Sequence, residues 1–254
     1  MKFSAKSKAQ ESKEKLENKI FKLAEPLLNK LYNTYTKIPD QIDCPDAAIL
    51  LSNPPRRFGT KAQSVKIGIE ITSIDPSWYQ AYANDKKFGA HLINGQIART
   101  FEDGIVENNP KKKVNVQIPK SFIFDGAIEK VKKYESYRIK SKFDEIILLC
   151  FSDIIDPKNR IFKDGLSVWT NYLFSQAGFP FDKVIFVGLR DSDSLPVQIY
   201  DKKMMKIKAP PPYKYPEATV TCIQSQPLHI DVSYILDEKF SGAPLISPRE
   251  TYPK

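Results

Sequence analysis

The sequence has little of the residue types on which many active sites depend. It contains two histidines, His91 and His229, and three cysteines without a C-x-x-C spacing. The sequence therefore offers few residues from which a Cys/His zinc site or a Ser-His-Asp triad could be built. Three widely separated cysteines also argue against a disulfide-built secreted domain, and Cys150 is predicted to be a small core residue within an apolar run.

Long apolar segments are also missing. No apolar run approaches the roughly 20 residues that cross a bilayer, and residues 1–22 lack the apolar stretch of a secretory signal. We therefore expect a cytoplasmic protein with no membrane partner. The ten glycines form no phosphate-binding motif, which leaves an unrelated α/β enzyme with its pocket elsewhere as the weakest alternative.

What the sequence does have is positive charge and enough apolar material for a core. It carries a formal net charge of +9 over 254 residues, and 41% of its residues are hydrophobic. A basic balance favours a polyanionic partner, either nucleic acid or an anionic membrane surface. The N-terminal segment mixes both charge signs around a narrow apolar stripe, which disfavours the membrane surface.

The order of periodic segments predicts an α/β protein. A helix is predicted to about Tyr32, with a kink or restart at Pro26, and two further helices at 125–139, with Asp125 as N-cap, and at 164–176. Strands are predicted at 47–51, 65–72, 146–151 and 184–189. The strand–helix–strand order at the end of this series predicts a parallel crossover.

We predict one domain over residues 1–200 and a Pro-rich extension over 201–254 with an additional strand at 218–223. The domain has an N-terminal helix and an insertion of short helices and loops at about 75–124.

Two acidic residues are predicted to meet at one end of the sheet. Asp46 follows Pro45 and opens one strand, and Glu70 lies near the end of the next strand. The alternation along 65–72 places Glu70 and Thr72 on a polar face, where Gly68 leaves room for a backbone or a ligand. Close carboxylates repel each other unless a cation lies between them, and oxygen ligands suit Mg²⁺ or Mn²⁺.

Pro45-Asp46 followed by an apolar strand that ends in Glu70-Ile71-Thr72 resembles the PD-(D/E)xK nuclease superfamily, over roughly residues 16–189. The resemblance implies a restriction-endonuclease-like central mixed sheet flanked by helices. It also implies that Asp46, Glu70 and the Ile71 carbonyl bind Mg²⁺ (or Mn²⁺). The implied activity is endonucleolytic hydrolysis of phosphodiester bonds, with DNA as the expected substrate, in bacterial defence, repair or mobile-element biology.

This sequence departs from the superfamily pattern at Thr72, which stands where the motif has a lysine. Members of the superfamily can supply the lysine from a nearby helix instead. The predicted helix 125–139 offers Lys130 first and Lys133 second, with Tyr137 one turn beyond Lys133. An acid of the N-terminal helix, Glu17 or Glu14, can complete the site.

Two basic segments are candidates for phosphate contacts. Arg56 and Arg57 lie in the turn between the two acid-bearing strands, and Lys111, Lys112 and Lys113 form a basic run. An exposed loop is the simpler interpretation of that run, and ordinary surface arginines are the simpler interpretation of the pair. A protein partner or a homodimer is also compatible with the sequence.

The alternative to an enzyme is a catalytically inactive module of the same fold that binds nucleic acid or a protein. Loss of the motif lysine at Thr72 is the feature that favours it. A lysine amino group within about 6 Å of the carboxylate pair favours chemistry, whereas its absence favours the binding module.

Overall fold

The computed structural model describes residues 8–39, 41, 45–59, 63–84, 111–140, 142–191, 193–204 and 207–225. The chain divides into two compact units, and nearly all of the described residues belong to the unit formed by Met1–Tyr82 and Val114–Cys222. The second unit comprises Ala83–Lys113 and Ile223–Lys254. Among the described helices, none is long and apolar enough to span a membrane.

A mixed sheet of six strands forms the centre of the first unit. Its strands are β1 (Thr36–Lys37), β2 (Ala47–Leu51), β3 (Val65–Ser73), β5 (Glu145–Ser152), β6 (Lys183–Gly188) and β7 (Val197–Asp201), and they lie side by side in this order. β3, β5 and β6 are parallel, whereas β1, β2 and β7 pair antiparallel to their neighbours. A separate strand pair is formed by β4 (Lys111–Gln117) and β8 (Thr219–Ser225).

Helices cover both faces of this sheet. α1 (Lys8–Tyr32) packs its apolar stripe, including Ile20 and Leu28, on Ile49 and Ile67. The other face carries a second core, in which Leu148 and Phe186 are prominent. The remaining helices are α2 (Ser77–Asn84), α3 (Phe122–Ile128), α4 (Val131–Lys140) and α5 (Ser167–Gln176), with a π-helical turn at Phe162–Leu166 and a 3₁₀ turn at Arg56–Phe58.

The predicted class, an α/β protein with a mixed sheet flanked by helices, is confirmed. The parallel crossover from β5 to β6 is also confirmed, and its helix ends before Gly178, which has the positive φ of 57° typical of a helix end. Cys150 is fully buried within β5, as predicted.

The helix does not restart at Pro26, because α1 runs through this residue as one helix. The buried residues Ala24 and Leu28 lie on either side of Pro26, which is itself exposed. Pro26 has no backbone N–H to donate within the helix. Packing of the apolar side of α1 on the sheet keeps the helix continuous at this position.

The predicted helix 125–139 is in fact two helices. α3 starts at Phe122, so Asp125 lies within its first turn, where it accepts a hydrogen bond of 2.7 Å from the Ser121 hydroxyl. Gly126 lies so close to β3 that a Cβ there would come within 2.4 Å of the Ile74 carbonyl. The two helices are separated by Glu129 and Lys130, so Lys130 lies at a junction rather than within a helix.

The predicted insertion at about 75–124 is only partly described. It contains α2 and β4, whereas residues 85–110, including His91, lie outside the described residues. Lys111–Gln117 forms a strand, so interpreting the basic run at 111–113 as a loop was wrong. Its partner β8 lies at the strand predicted for 218–223.

Candidate active site

Pairing of β2 with β3 brings Asp46 to Glu70. The two strands are antiparallel with Ala47 opposite Ile69, so the register continued by one residue places Asp46 opposite Glu70. Asp46 Oδ2 accepts a hydrogen bond of 2.8 Å from the Ile71 backbone N–H. This bond fixes the Asp46 carboxylate at the carboxyl end of β3.

Gly68 makes room for the turn that carries Asp46. A Cβ at Gly68 would lie 2.9 Å from Pro45 Cγ and 3.2 Å from the Phe143 ring. The space expected there for a backbone or a ligand is therefore filled by these two side chains. Their packing against Gly68 sets the position of the residue that follows Pro45.

Glu70 is buried within the sheet, although the alternation along β3 predicted a polar face for it. Only 4% of the residue is exposed, because the face of β3 that it shares with Gly68 and Thr72 is covered. Its Oε1 is 2.5 Å from the Lys130 amino group, and the Tyr137 hydroxyl donates a second hydrogen bond to the carboxylate. Thr72 is half-buried, and its hydroxyl donates to the Ser73 carbonyl at 3.3 Å.

The electrostatic environment of Glu70 disfavours its ionised form. Burial raises the pKa of Glu70 above its ordinary value, and the charge of Asp46 raises it further. Hydrogen bonds from Lys130 and Tyr137 act in the opposite direction but do not cancel the increase. The pKa of Glu70 therefore stays above that of an ordinary glutamate despite its two hydrogen-bond donors.

α1 contributes a third carboxylate and a second lysine. The pKa of Glu17 is raised by burial and by the charge of Asp46, with a smaller contribution from Glu70. The Lys13 amino group lies 3.3 Å from Glu17 and 3.7 Å from Asp46 Oδ1. Sequence analysis selected Glu17 but missed Lys13, although the i, i+4 spacing of the two residues was a signal for it.

Several candidates are not brought to the acids. Lys133 is exposed on α4. Arg56 and Arg57 follow the end of β2, whereas Asp46 precedes its start, so about 17 Å of strand separates them. The Arg57 guanidinium lies 4.9 Å from the Tyr32 ring centroid. The side chains of the basic run at 111–113 lie outside the described part of the chain.

A cavity of about 330 Å³ borders Asp46 and Glu17 on the side of α1. One wall is formed by α1, the opposite wall by β1 and the segment after it, and the base by Asp46, Ala47 and Ile71. We call it the α1–β1 cavity. Its lining is polar for the most part, with Lys37 on β1 facing Asn18 on α1.

A second buried acid, Glu145, lies at the start of β5 and is 2% exposed. Its Oε2 accepts hydrogen bonds from the Tyr32 hydroxyl at 2.8 Å and from the Lys183 amino group at 3.0 Å. Lys203 donates to Oε1 at 3.1 Å. We call these four residues the Glu145 cluster.

The pKa of Glu145 is lower than its ordinary value. Burial alone would raise it, but the charge of Lys183 and the hydrogen bonds from Tyr32, Lys183 and Lys203 outweigh burial. This carboxylate is therefore fully compensated by its neighbours.

A third buried acid, Asp75, follows the carboxyl end of β3. It accepts hydrogen bonds from the Ser152 hydroxyl at 2.5 Å and from the Asp153 backbone N–H at 2.7 Å. Burial nevertheless raises the pKa of Asp75 to about 6. The Asp75 carboxyl group therefore joins the neighbouring ends of β3 and β5, and it keeps its proton to a higher pH than an ordinary aspartate.

Comparison of the chain with protein-family models, with curated proteins and with solved structures finds no match. Among the described residues, no group of three or more His, Cys, Asp or Glu side chains has a geometry that could hold a metal ion. Any ion bound at this site would therefore depend on two carboxylates supplemented by a backbone carbonyl and water.

Proposed function

We propose that the protein is a metal-dependent endonuclease of the PD-(D/E)xK type that hydrolyses phosphodiester bonds, with DNA as the expected substrate. The observation that carries this proposal is the distance of 2.5 Å between the Lys130 amino group and Glu70 Oε1. Thr72 leaves the strand without the motif lysine, and Lys130 supplies an amino group at the acid from the α3–α4 junction.

The donor set suits a hard divalent cation. The Asp46 and Glu70 carboxylates and the Ile71 carbonyl would hold Mg²⁺ or Mn²⁺, which prefer oxygen ligands and retain several waters. Such an ion, when bound, lowers the pKa of a water and neutralises charge on a scissile phosphate. The raised pKa values of Glu70 and Glu17 support this assignment, because an additional cation would relieve the repulsion that contributes to both.

Each side chain has a separate task in this scheme. The Ile71 N–H orients the Asp46 carboxylate, and the Tyr137 hydroxyl orients the Glu70 carboxylate. Lys130 donates to a phosphate oxygen and stabilises the negative charge that develops there. Glu17 adds negative charge from α1 and strengthens the attraction for the cation.

A test compares Asp46→Asn, Glu70→Gln and Lys130→Met with the wild type. Plasmid nicking is measured with Mg²⁺ and with Mn²⁺, and Mn²⁺ binding is measured by calorimetry. We expect both acid variants to lose nicking and metal binding, and Lys130→Met to lose nicking while it still binds metal.

Lys132→Met is the matched control, because Lys132 is exposed and pairs with Glu129 rather than with the acids. Unchanged nicking in both acid variants would reject the site. Binding of DNA by a wild-type protein that never nicks it would favour the inactive binding module instead.

A further inference from the structure

We propose that the α1–β1 cavity binds one unpaired nucleotide of the substrate beside the scissile phosphate, so that the enzyme acts on single-stranded or locally unpaired nucleic acid. This inference rests on the proposed nuclease function and adds the substrate class. Four features of the cavity carry it, namely its position, its size, its hydrogen-bonding groups and its charge.

The cavity adjoins the proposed site of hydrolysis. Asp46 and Ile71 form part of its base, and the same two residues hold the carboxylate and the carbonyl assigned to the metal. A phosphate placed at Asp46 and Glu70 is covalently joined to nucleosides on both of its sides. One of these nucleosides therefore lies next to the cavity, whose base includes Asp46.

The volume fits one nucleotide and excludes a base pair. At about 330 Å³ the cavity is at the small end of the range of sites that enclose small ligands, roughly 300–1,000 Å³. A base can enter it only after leaving its partner strand. Unpairing costs free energy in a duplex but almost none in a single strand, so the cavity selects against duplex.

Three amide side chains on two segments supply the hydrogen-bonding groups. Gln10 and Asn18 lie on the α1 wall, and Gln41 lies on the opposite wall. Gln41 Nε2 donates to the Pro45 carbonyl at 3.3 Å, which ties that wall to the turn before Asp46. Carboxamides both donate and accept, which matches the mixed pattern on the Watson–Crick edge of an unpaired base.

Charge makes occupancy of the cavity dependent on the metal. Lys37 is exposed at the rim, where its amino group donates to Asn18 Oδ1 at 2.7 Å and lies 4.6 Å from the Phe21 ring centroid. It is placed to contact a flanking phosphate. The lining also includes one further lysine, Lys13, and three acids, Glu14, Glu17 and Asp46. This excess of negative charge would repel that phosphate until a divalent cation is bound.

The experiment measures binding by fluorescence anisotropy with two probes of equal length, a labelled single-stranded oligothymidylate and a blunt duplex. Ca²⁺, another hard cation with oxygen ligands, is added or omitted. The proteins are the full chain, Lys37→Gln, Asn18→Leu, Asp46→Asn and the control Lys30→Gln. Lys30 is an exposed lysine in the last turn of α1 and lines no part of the cavity.

We expect the single strand to bind roughly tenfold more tightly than the duplex, and only with Ca²⁺. Lys37→Gln should weaken single-strand binding and reduce the slope of log K against log salt by about 1. Asn18→Leu should weaken it without changing that slope, and Lys30→Gln should behave as wild type.

Equal or tighter binding of the duplex overturns the inference, as does wild-type binding by both cavity variants. In either case, loss of metal-dependent binding in Asp46→Asn would show that the proposed nuclease site still stands. Failure of the wild type to bind either probe or any metal rejects both proposals together.

Discussion

The Asp46–Glu70 site and the Glu145 cluster both bury carboxylates against the same sheet, yet they balance charge in opposite ways. Glu145 has two lysines and a tyrosine around one carboxylate, and its pKa is lower than the ordinary value. Glu70 has one lysine and one tyrosine but also faces Asp46, and its pKa is raised. The Glu145 carboxylate is paired with two lysines. The carboxylates of Asp46, Glu70 and Glu17, by contrast, are paired with only two lysines between them, Lys13 and Lys130.

The difference separates a stabilising cluster from a site poised for a ligand. Removing one partner of a buried ion pair is strongly destabilising, because it leaves an uncompensated buried charge. Excess carboxylate charge costs stability in the absence of a cation, and such costs are typical of functional sites. Variants of the Glu145 cluster should therefore lower the free energy of unfolding alone, whereas variants of the acids Asp46 and Glu70 should also lose metal binding.

The largest effect is expected at Lys183, which is 2% exposed. Lys183→Met should lower the free energy of unfolding by about 3–5 kcal/mol, because it removes the buried cation beside Glu145. Urea unfolding at neutral pH measures this change. Lys203→Met is the control, since more than half of the Lys203 side chain is exposed, and it should cost less than about 1 kcal/mol. Equal losses would remove the contrast between buried and exposed partners.

The next largest effect concerns pH and Asp75, another acid with a raised pKa at the carboxyl end of β3. Its pKa rises from 3.8 to about 6, so the folded protein keeps a proton that the unfolded chain has lost. The free energy of unfolding should therefore fall as pH rises from about 4 to 6.

In Asp75→Asn that fall should be smaller by about 2–3 kcal/mol, as measured by urea unfolding across this pH range. An unchanged pH profile would mean that Asp75 titrates alike in the folded and unfolded chains.

Lys130→Met sharpens the comparison within the Asp46–Glu70 site. At pH 8 it should lower the free energy of unfolding by about 2 kcal/mol, because the buried Glu70 carboxylate loses its ion pair. The loss should vanish toward pH 4, where Glu70 is protonated. Thermal unfolding at both pH values tests this, with the exposed Lys133→Met as a neutral control. A loss of equal size at both pH values would indicate a packing effect instead.

The smallest effect is expected for Gly68→Ala. The added Cβ would lie 2.9 Å from Pro45 Cγ, so Pro45 must shift and move Asp46 with it. We expect a loss of about 1 kcal/mol in the free energy of unfolding. A weaker affinity for Mn²⁺, measured by calorimetry, should accompany it. Full Mn²⁺ affinity together with the stability loss would show that Asp46 keeps its place without the close packing of Pro45.

Local patterns in the sequence predicted most of the sheet. Alternation identified β3, and short apolar runs identified β2, β5 and β6, because side-chain periodicity within one element is a local property. The meeting of Asp46 with Glu70 followed from the order of two adjacent strands. Antiparallel pairing of the same two strands places Arg56 and Arg57 at the end of β2 opposite to Asp46.

The features that escaped prediction depend on distant partners. The hydrogen bond from Tyr32 to Glu145 joins residues 113 positions apart, and no local pattern marks either residue. The close approach of Gly126 to Ile74 also joins residues 52 positions apart. Burial of Glu70 likewise depends on elements that cover β3 from elsewhere in the chain.

α1 reaches both of the buried-charge clusters. Glu17 belongs to one, and Tyr32, fifteen residues later and about 22 Å along the axis, belongs to the other. During translation α1 is made before Lys130, Glu145 and Lys183. A nascent chain therefore carries the contribution of α1 to each cluster before its counterpart exists, and the Asp46–Glu70 site can be completed only after Lys130 has been made.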